Sequence, residues 1–207
     1  MIGIPAIFLD RDGVINENRA DHVTRWDDFR PVRSALSGLR MLNALGLPIY
    51  VVTNQGIVGK GQISADDLAA IHAHMVALVE RHGGRIDGVY ACPHRADDDC
   101  ACRKPRPGMF LQAAREHDLD LSRSYYVGDA LTDVAAGQAA GCTTILVQTG
   151  RGLTQTLRAQ AQTYSGYYVA HDLPHVARFI AHHRALQQGR ARALPSLRFM
   201  MQGVKSM

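Results

Sequence analysis

No stretch of this 207-residue chain approaches the ~18 uninterrupted apolar residues of a membrane-spanning helix. The start, Met1 to Leu9, also lacks the basic, then apolar, then small-residue order of a secretory signal. Both absences lead to the expectation of a cytoplasmic protein. No internal repeat or low-complexity segment interrupts the chain. Acidic residues stop at Asp172, whereas Arg178, Arg184, Arg190, Arg192, Arg198 and Lys205 follow it. The formal charge of +4 therefore belongs to the end of the chain, and the remainder is slightly acidic. That distribution removes most of the case for a nucleic-acid partner, and residues 189–207 read as a basic, solvated tail. Lysine is scarce as well: only Lys60, Lys104 and Lys205 occur.

Hydrophobic residues make up 46% of the chain, enough for one globular domain over residues 1–188 with no need of disulfides. Short apolar runs alternate with longer stretches of helical period. This is the pattern of a mostly parallel sheet covered on both faces, a Rossmann-like three-layer α/β/α fold. Strands are predicted at Ile4 to Leu9, Pro48 to Thr53, Ile86 to Ala91, Ser124 to Val127 and Thr143 to Val147. Helices are predicted at Val32 to Leu45, from Ser64 to about His82, from Pro107-Gly108 to His117, and at Leu131 to Ala140. Ser64 with Asp67 reads as a capping pair, and Asp172 as the cap of a last helix reaching Gln188.

In such sheets ligands gather beyond the carboxyl ends of the strands. Polar residues stand there at four places. The first run ends in Asp10-Arg11-Asp12-Gly13, the second in Thr53-Asn54-Gln55, and the fourth in Gly128-Asp129, with Asp133 four residues on; Lys104 follows the third. Singly, each fits a turn or a helix cap. As a set they fit phosphoryl transfer, in which an aspartate approaches a dianionic phosphate only when cations offset the repulsion. Asp10, a carbonyl oxygen and Asp129 suit magnesium, an oxygen-seeking ion. Lys104 adds a second positive charge, and Thr53 with the amides around Asn54 can hold the transferring oxygens.

Cys92-Pro93-His94 and Cys100-Ala101-Cys102 place four soft ligands within eleven positions, the spacing of a structural Cys₃His zinc site in a loop over residues 92–102. Disulfides are the alternative, disfavoured in a cytosolic setting. That loop runs directly into Arg103 and Lys104, so bound metal would position both. Cys142 reads as a small buried side chain. A zinc-loop nucleic-acid-binding protein is the competing class.

From Phe8 to Asp133 the four segments resemble the haloacid dehalogenase superfamily of phosphatases. Within it, Phe8-Leu9-Asp10-Arg11-Asp12-Gly13-Val14-Ile15-Asn16 and Cys102-Arg103-Lys104-Pro105-Arg106-Pro107-Gly108-Met109 look most like the D-glycero-D-manno-heptose-1,7-bisphosphate 7-phosphatase family, with histidinol-phosphate phosphatases as the sister group. The resemblance implies that Asp10 is the nucleophile and that Asp12 is the acid and then the base. It further implies magnesium on Asp10, the Asp12 carbonyl and Asp129, with Asp133 in support. Thr53 and Lys104 would stabilise the phosphoryl group. Substrate contacts would come from Asn18, Arg19, Ala20, Asp21, Thr53, Asn54, Gln55, Gly56, Arg103 and Lys104. The chain departs from the family pattern where Ile57 stands for a glycine and Lys60 for an arginine. Only residues 17–34 separate Asn16 from Ala35, too few for a large cap, so an open site is expected; the resemblance implies a small phosphorylated sugar as substrate and a monomer.

Overall fold

The computed structural model describes residues 3–161 and 165–190; the expected tail lies outside the described residues from Ala191 onward. Six strands form one parallel sheet: β1 (Ile7–Leu9), β2 (Ile49–Asn54), β3 (Gly88–Cys92), β4 (Tyr125–Gly128), β5 (Thr143–Val147) and β6 (Tyr168–Ala170). Their order is β3-β2-β1-β4-β5-β6. The helices are α1 (Ala35–Asn43), α2 (Ala65–Arg81), α3 (Gly108–His117), α4 (Leu131–Ala140), α5 (Gly152–Ala161) and α6 (Leu173–Gln187).

The central strands are apolar at successive positions because both sides of the sheet are covered. Ile7, Leu9, Val51 and Val127 point to one side, where Leu39 of α1, Met75 of α2 and Ile180 of α6 close over them. Phe8, Val52 and Tyr126 point to the other, against Met109 and Phe110 of α3 and Ala136 of α4. Ala159 of α5 completes that second layer against Leu146 and Val134. Each fully buried large side chain contributes about 1.5–3 kcal/mol. The three-layer α/β/α architecture is thus the one the alternation of runs predicts.

Helix starts follow local chemistry. Ser64 and Asp67 form a reciprocal capping box at α2, with Asp67 N donating to Ser64 Oγ at 3.0 Å and Ser64 N to Asp67 Oδ2 at 3.0 Å. Asp172 caps α6 by accepting from His175 N at 3.1 Å.

Two expectations need correction. The first strand begins at Ile7, not Ile4: Ile4 is half exposed and makes only an isolated bridge to Leu119. The pattern of five strands followed directly by a last helix also omits α5 and β6. Helix α5 leaves Leu153 and Leu157 exposed, which blurs its apolar stripe, and β6 is three residues long. Both are weak signals in a one-dimensional reading.

The strand order has a direct consequence for the site. β1 lies between β2 and β4, and the direction of winding reverses between β1 and β4. The loops after these two strands diverge and leave a crevice, the usual place for a ligand in an open parallel sheet. Asp10 and Asp129 follow β1 and β4 immediately.

Candidate active site

A cleft of about 700 Å³ opens above this crevice, lined by Asp10, Asp12, Thr53, Lys104 and Asp133 at its floor and by several arginines at its rim. Asp10 is fixed by its backbone, which donates to Val127 O at 2.8 Å across to β4. Its Oδ1 accepts from Arg11 N at 2.7 Å and faces Lys104 Nζ at 3.0 Å. The chain then turns sharply at Gly13, where φ is +86°. A side chain there would be strained and would collide with Asp129 and Asn18, so this position of the motif requires glycine.

Lys104 is the hub. Its ammonium is buried and reaches Val52 O at 3.0 Å, Tyr126 Oη at 2.8 Å, Asp10 Oδ1 at 3.0 Å and Asp133 Oδ1 at 2.8 Å. Burial alone would lower its pKa, but Asp10 and Asp133 outweigh burial and raise it, so the charge is retained. Asn54 aligns this lysine by clamping its backbone. The Asn54 amide donates to Lys104 O at 3.1 Å, and its Oδ1 accepts from Lys104 N at 3.0 Å.

Asp133 organises the far wall. Its Oδ2 accepts from the backbone N–H groups of Asp129 (3.1 Å) and Ala130 (3.0 Å), while Tyr126 Oη donates to Oδ1 at 2.9 Å. Asp129 is fully buried, accepts from Asn18, and pairs with Arg151, whose Nη2 lies 3.1 Å from Oδ1 and whose backbone N lies 2.8 Å from Oδ2.

Asp10, Asp129 and Asp133 present carboxylate oxygens within 4.8 Å of one another. Three buried acids at this separation need more positive charge than Lys104 and Arg151 supply. Accordingly, burial pushes Asp10 up to about 7; Lys104 opposes this shift, and Asp133, Asp129 and Asp12 add to it. An all-oxygen donor set with surplus negative charge fits a hard divalent cation such as magnesium.

Asp12 differs. Burial would raise its pKa, but the Arg11 charge and donors from Asn16 (2.9 Å), Arg11 and Gln55 (2.8 Å) hold it below the ordinary carboxylate value. With its carboxylate so engaged, its backbone carbonyl is the group it could lend to a metal.

Beside the cleft, the sulfurs of Cys92, Cys100 and Cys102 lie 3.3–3.6 Å apart, and His94 Nδ1 sits 3.2 Å from Cys102 and 3.6 Å from Cys92. A tetrahedron around zinc with sulfurs at ~2.3 Å has edges of about 3.8 Å, so the four groups nearly trace that shape. The cysteines are free rather than paired. Arg103 Nη1 donates to His94 O at 3.0 Å, which couples the loop directly to a cleft residue.

The HAD-hydrolase-like family model matches residues 101–176. The D-glycero-beta-D-manno-heptose-1,7-bisphosphate 7-phosphatase of Bordetella bronchiseptica is 40% identical over 171 residues, covering 83% of this chain and 94% of that protein. The protein of that name from Pseudomonas aeruginosa is 38% identical over 147 residues, 71% of this chain and 83% of its own length. A crystal structure of D,D-heptose 1,7-bisphosphate phosphatase from B. bronchiseptica, complexed with magnesium and phosphate, superposes with a TM-score of 0.79. It is 36% identical and covers 89% of this chain and 99% of that one. This chain belongs to the heptose-1,7-bisphosphate 7-phosphatase family of HAD-like hydrolases.

For a member of this heptose-bisphosphatase family, the residues expected from sequence gather unevenly. Asp10, Asp12, Asn18, Arg19, Thr53, Asn54, Arg103 and Lys104 line the cleft. Gln55 lies buried beneath it, donating to Asp12 and to Thr53 Oγ1 (2.9 Å), and Gly56 sits behind Arg103. Ala20 and Asp21 are exposed and do not line it, although Asp21 pairs with Arg19. Residues missed in the sequence are Arg11, His72, Tyr126 and Arg151. Arg11 lies inside the motif, but nothing in its neighbours along the chain marks it as buried. Tyr126 and His72 looked like ordinary members of an apolar strand and helix. Arg151 has a visible signal, a Thr149-Gly150-Arg151-Gly152 stretch one residue after β5.

Proposed function

We propose that this chain is a magnesium-dependent phosphatase that removes the 7-phosphate of D-glycero-β-D-manno-heptose 1,7-bisphosphate. The observation that carries the reading is the convergence of Asp10, Asp12, Thr53, Lys104 and Asp133 on one cleft, with Asp129 buried in its wall. Asp10 attacks phosphorus, the bond to the sugar oxygen breaks, and Asp12 gives that oxygen its proton. An aspartyl-phosphate results. Asp12 then takes a proton from water, the water oxygen attacks phosphorus, and phosphate leaves with Asp10 restored. The low pKa of Asp12 suits its second role, and an adjacent phosphate dianion raises it for the first.

Magnesium, held by Asp10, the Asp12 carbonyl and Asp129, would supply the positive charge that keeps Asp10 ionised and offsets repulsion of the phosphate. Lys104 and Thr53 face the phosphoryl oxygens. Zinc on Cys92, His94, Cys100 and Cys102 would be structural, holding Arg103 at the rim.

The rim favours a bisphosphate. Arg19, Arg103, Arg106 and Arg151 stand there, and Arg103 makes no ion pair among the described residues. Its guanidinium is bonded to the neutral His94 carbonyl, with no carboxylate offsetting its charge, which suits a second phosphate and disfavours the cationic amine of histidinol phosphate. Among the described residues no helix is long and apolar enough to cross a membrane; a cytoplasmic monomer acting on a small phosphorylated sugar is part of this proposal.

The test is phosphate release from the heptose bisphosphate and from histidinol phosphate, with magnesium and with a chelator. A higher kcat/KM for the heptose, abolished by chelation and by Asp10→Asn, is expected. Turnover retained in Asp10→Asn refutes the mechanism, and preference for histidinol phosphate refutes the substrate.

A further inference from the structure

The buried stripe of α2 is Leu68, Ile71, His72, Met75 and Val79, apolar except at His72. The imidazole meets Arg11, whose side chain is fully buried, with Arg11 Nη1 and His72 Nε2 3.2 Å apart. A guanidinium has only donors, so His72 Nε2 must be the acceptor and Nδ1 must carry the ring proton. Burial, and then the Arg11 charge, lower the His72 pKa to about 4, in keeping with a neutral ring.

The other end of the same guanidinium grips Asp12. Arg11 Nη2 lies 3.0 Å from each carboxylate oxygen, Nε lies 3.3 Å from Oδ1, and Nη2 also reaches Gln55 Oε1 at 3.1 Å. A planar fork has one orientation in which all of these bonds form. Asp12 and Gln55 both sit on the Nη2 side, and His72 is the contact that holds Nη1. We propose that His72 is a positioning residue: by accepting from Arg11 Nη1 it fixes the guanidinium plane, and so aims the Asp12 carboxylate at the leaving oxygen. This rests on the phosphatase reading above, in which Asp12 is the acid and base.

The role separates from mere packing. His72→Leu fills the space without an acceptor, whereas His72→Gln supplies an oxygen that can take the Arg11 proton. In the magnesium- and zinc-loaded enzyme, His72→Leu should lower kcat about 10- to 100-fold, part of the ~10²–10⁴ that a positioned acid–base group provides. KM should stay within about twofold, because no substrate contact is touched. His72→Gln should recover most of kcat. A readout independent of turnover is the ¹⁵N spectrum of His72 in the wild-type protein at neutral pH: Nδ1 protonated and Nε2 bare are expected.

Wild-type kcat in His72→Leu overturns the proposal, as does an equal loss of kcat in both variants. A protonated Nε2 overturns it even if neither variant folds. A wild-type protein without phosphatase activity would instead sink the functional reading, and the tautomer would still decide whether His72 accepts from Arg11.

Discussion

Replacing Tyr126 by phenylalanine should be mild, and replacing Lys104 by methionine severe, because of how many acceptors surround one ammonium. Lys104 has three protons and four acceptors within 3.0 Å: Val52 O, Tyr126 Oη, Asp10 Oδ1 and Asp133 Oδ1. Removal of the tyrosine hydroxyl leaves three protons for three acceptors, so no buried donor is orphaned. Asp133 Oδ1 loses one neutral donor and keeps the lysine. The ring still packs edge-on against Phe110 at 4.7 Å. The cost is therefore about 1 kcal/mol, one ordinary hydrogen bond, or ~2–4 °C in Tm for a protein of this size. Turnover should stay within about tenfold of wild type. Lys104→Met, in contrast, strips the one side-chain cation that, among the described residues, ion-pairs with the buried Asp10 and Asp133, at about 3–5 kcal/mol, and should reduce kcat at least ~100-fold. Thermal unfolding and phosphate release measured on both variants decide the matter. If Tyr126→Phe loses as much as Lys104→Met, the hydroxyl is not redundant and the proton count is wrong.

Removing zinc with a strong chelator, or by Cys102→Ser, should lower Tm and raise KM more than it lowers kcat, because His94 O releases Arg103; an unchanged KM would uncouple the loop from the rim. Arg103→Ala should raise KM for the bisphosphate about 10-fold or more, with smaller effects on a monophosphate analogue, as steady-state kinetics on both will reveal. His72 titrates near 6.5 when unfolded and near 4 when folded, so between those values only the unfolded chain holds the proton and stability rises with pH. The full contribution is about 3 kcal/mol, present above pH 6.5 and lost towards pH 4. Urea titrations across that window should show a shallower slope in His72→Gln.

The parts of the site legible in the sequence were those that sit next to a strand end. Asp10, Thr53 and Asp129 each follow a run of apolar residues, so topology alone brings them together, and the proposed zinc ligands stand out by residue type and spacing. Partners chosen by tertiary packing left no such mark. Arg11 reads as a charge and lies buried, because His72, 61 positions away, and Gln55 come to meet it. Tyr126 reads as a strand aromatic, and the arrival of Lys104 and Asp133 at its hydroxyl gives that group a purpose. Helix α5 and β6 failed for a different reason: exposed leucines and a three-residue strand carry too little period to be distinguished from a loop.

The central position of β1 bears on when the site comes into being. Its register partners are Ile49 to Val51 on one side and Tyr125 to Val127 on the other, so half of its pairing waits for chain made more than a hundred residues later. Such remote pairing forms slowly, since a long loop must close before any contact rewards it. During synthesis the Asp10 segment therefore leaves the ribosome well before β4 can dock beside it. Competence for chemistry arrives in one step, when the strand from the second half slots in, and a chain halted before Asp129 should be not a weaker catalyst but an inert one.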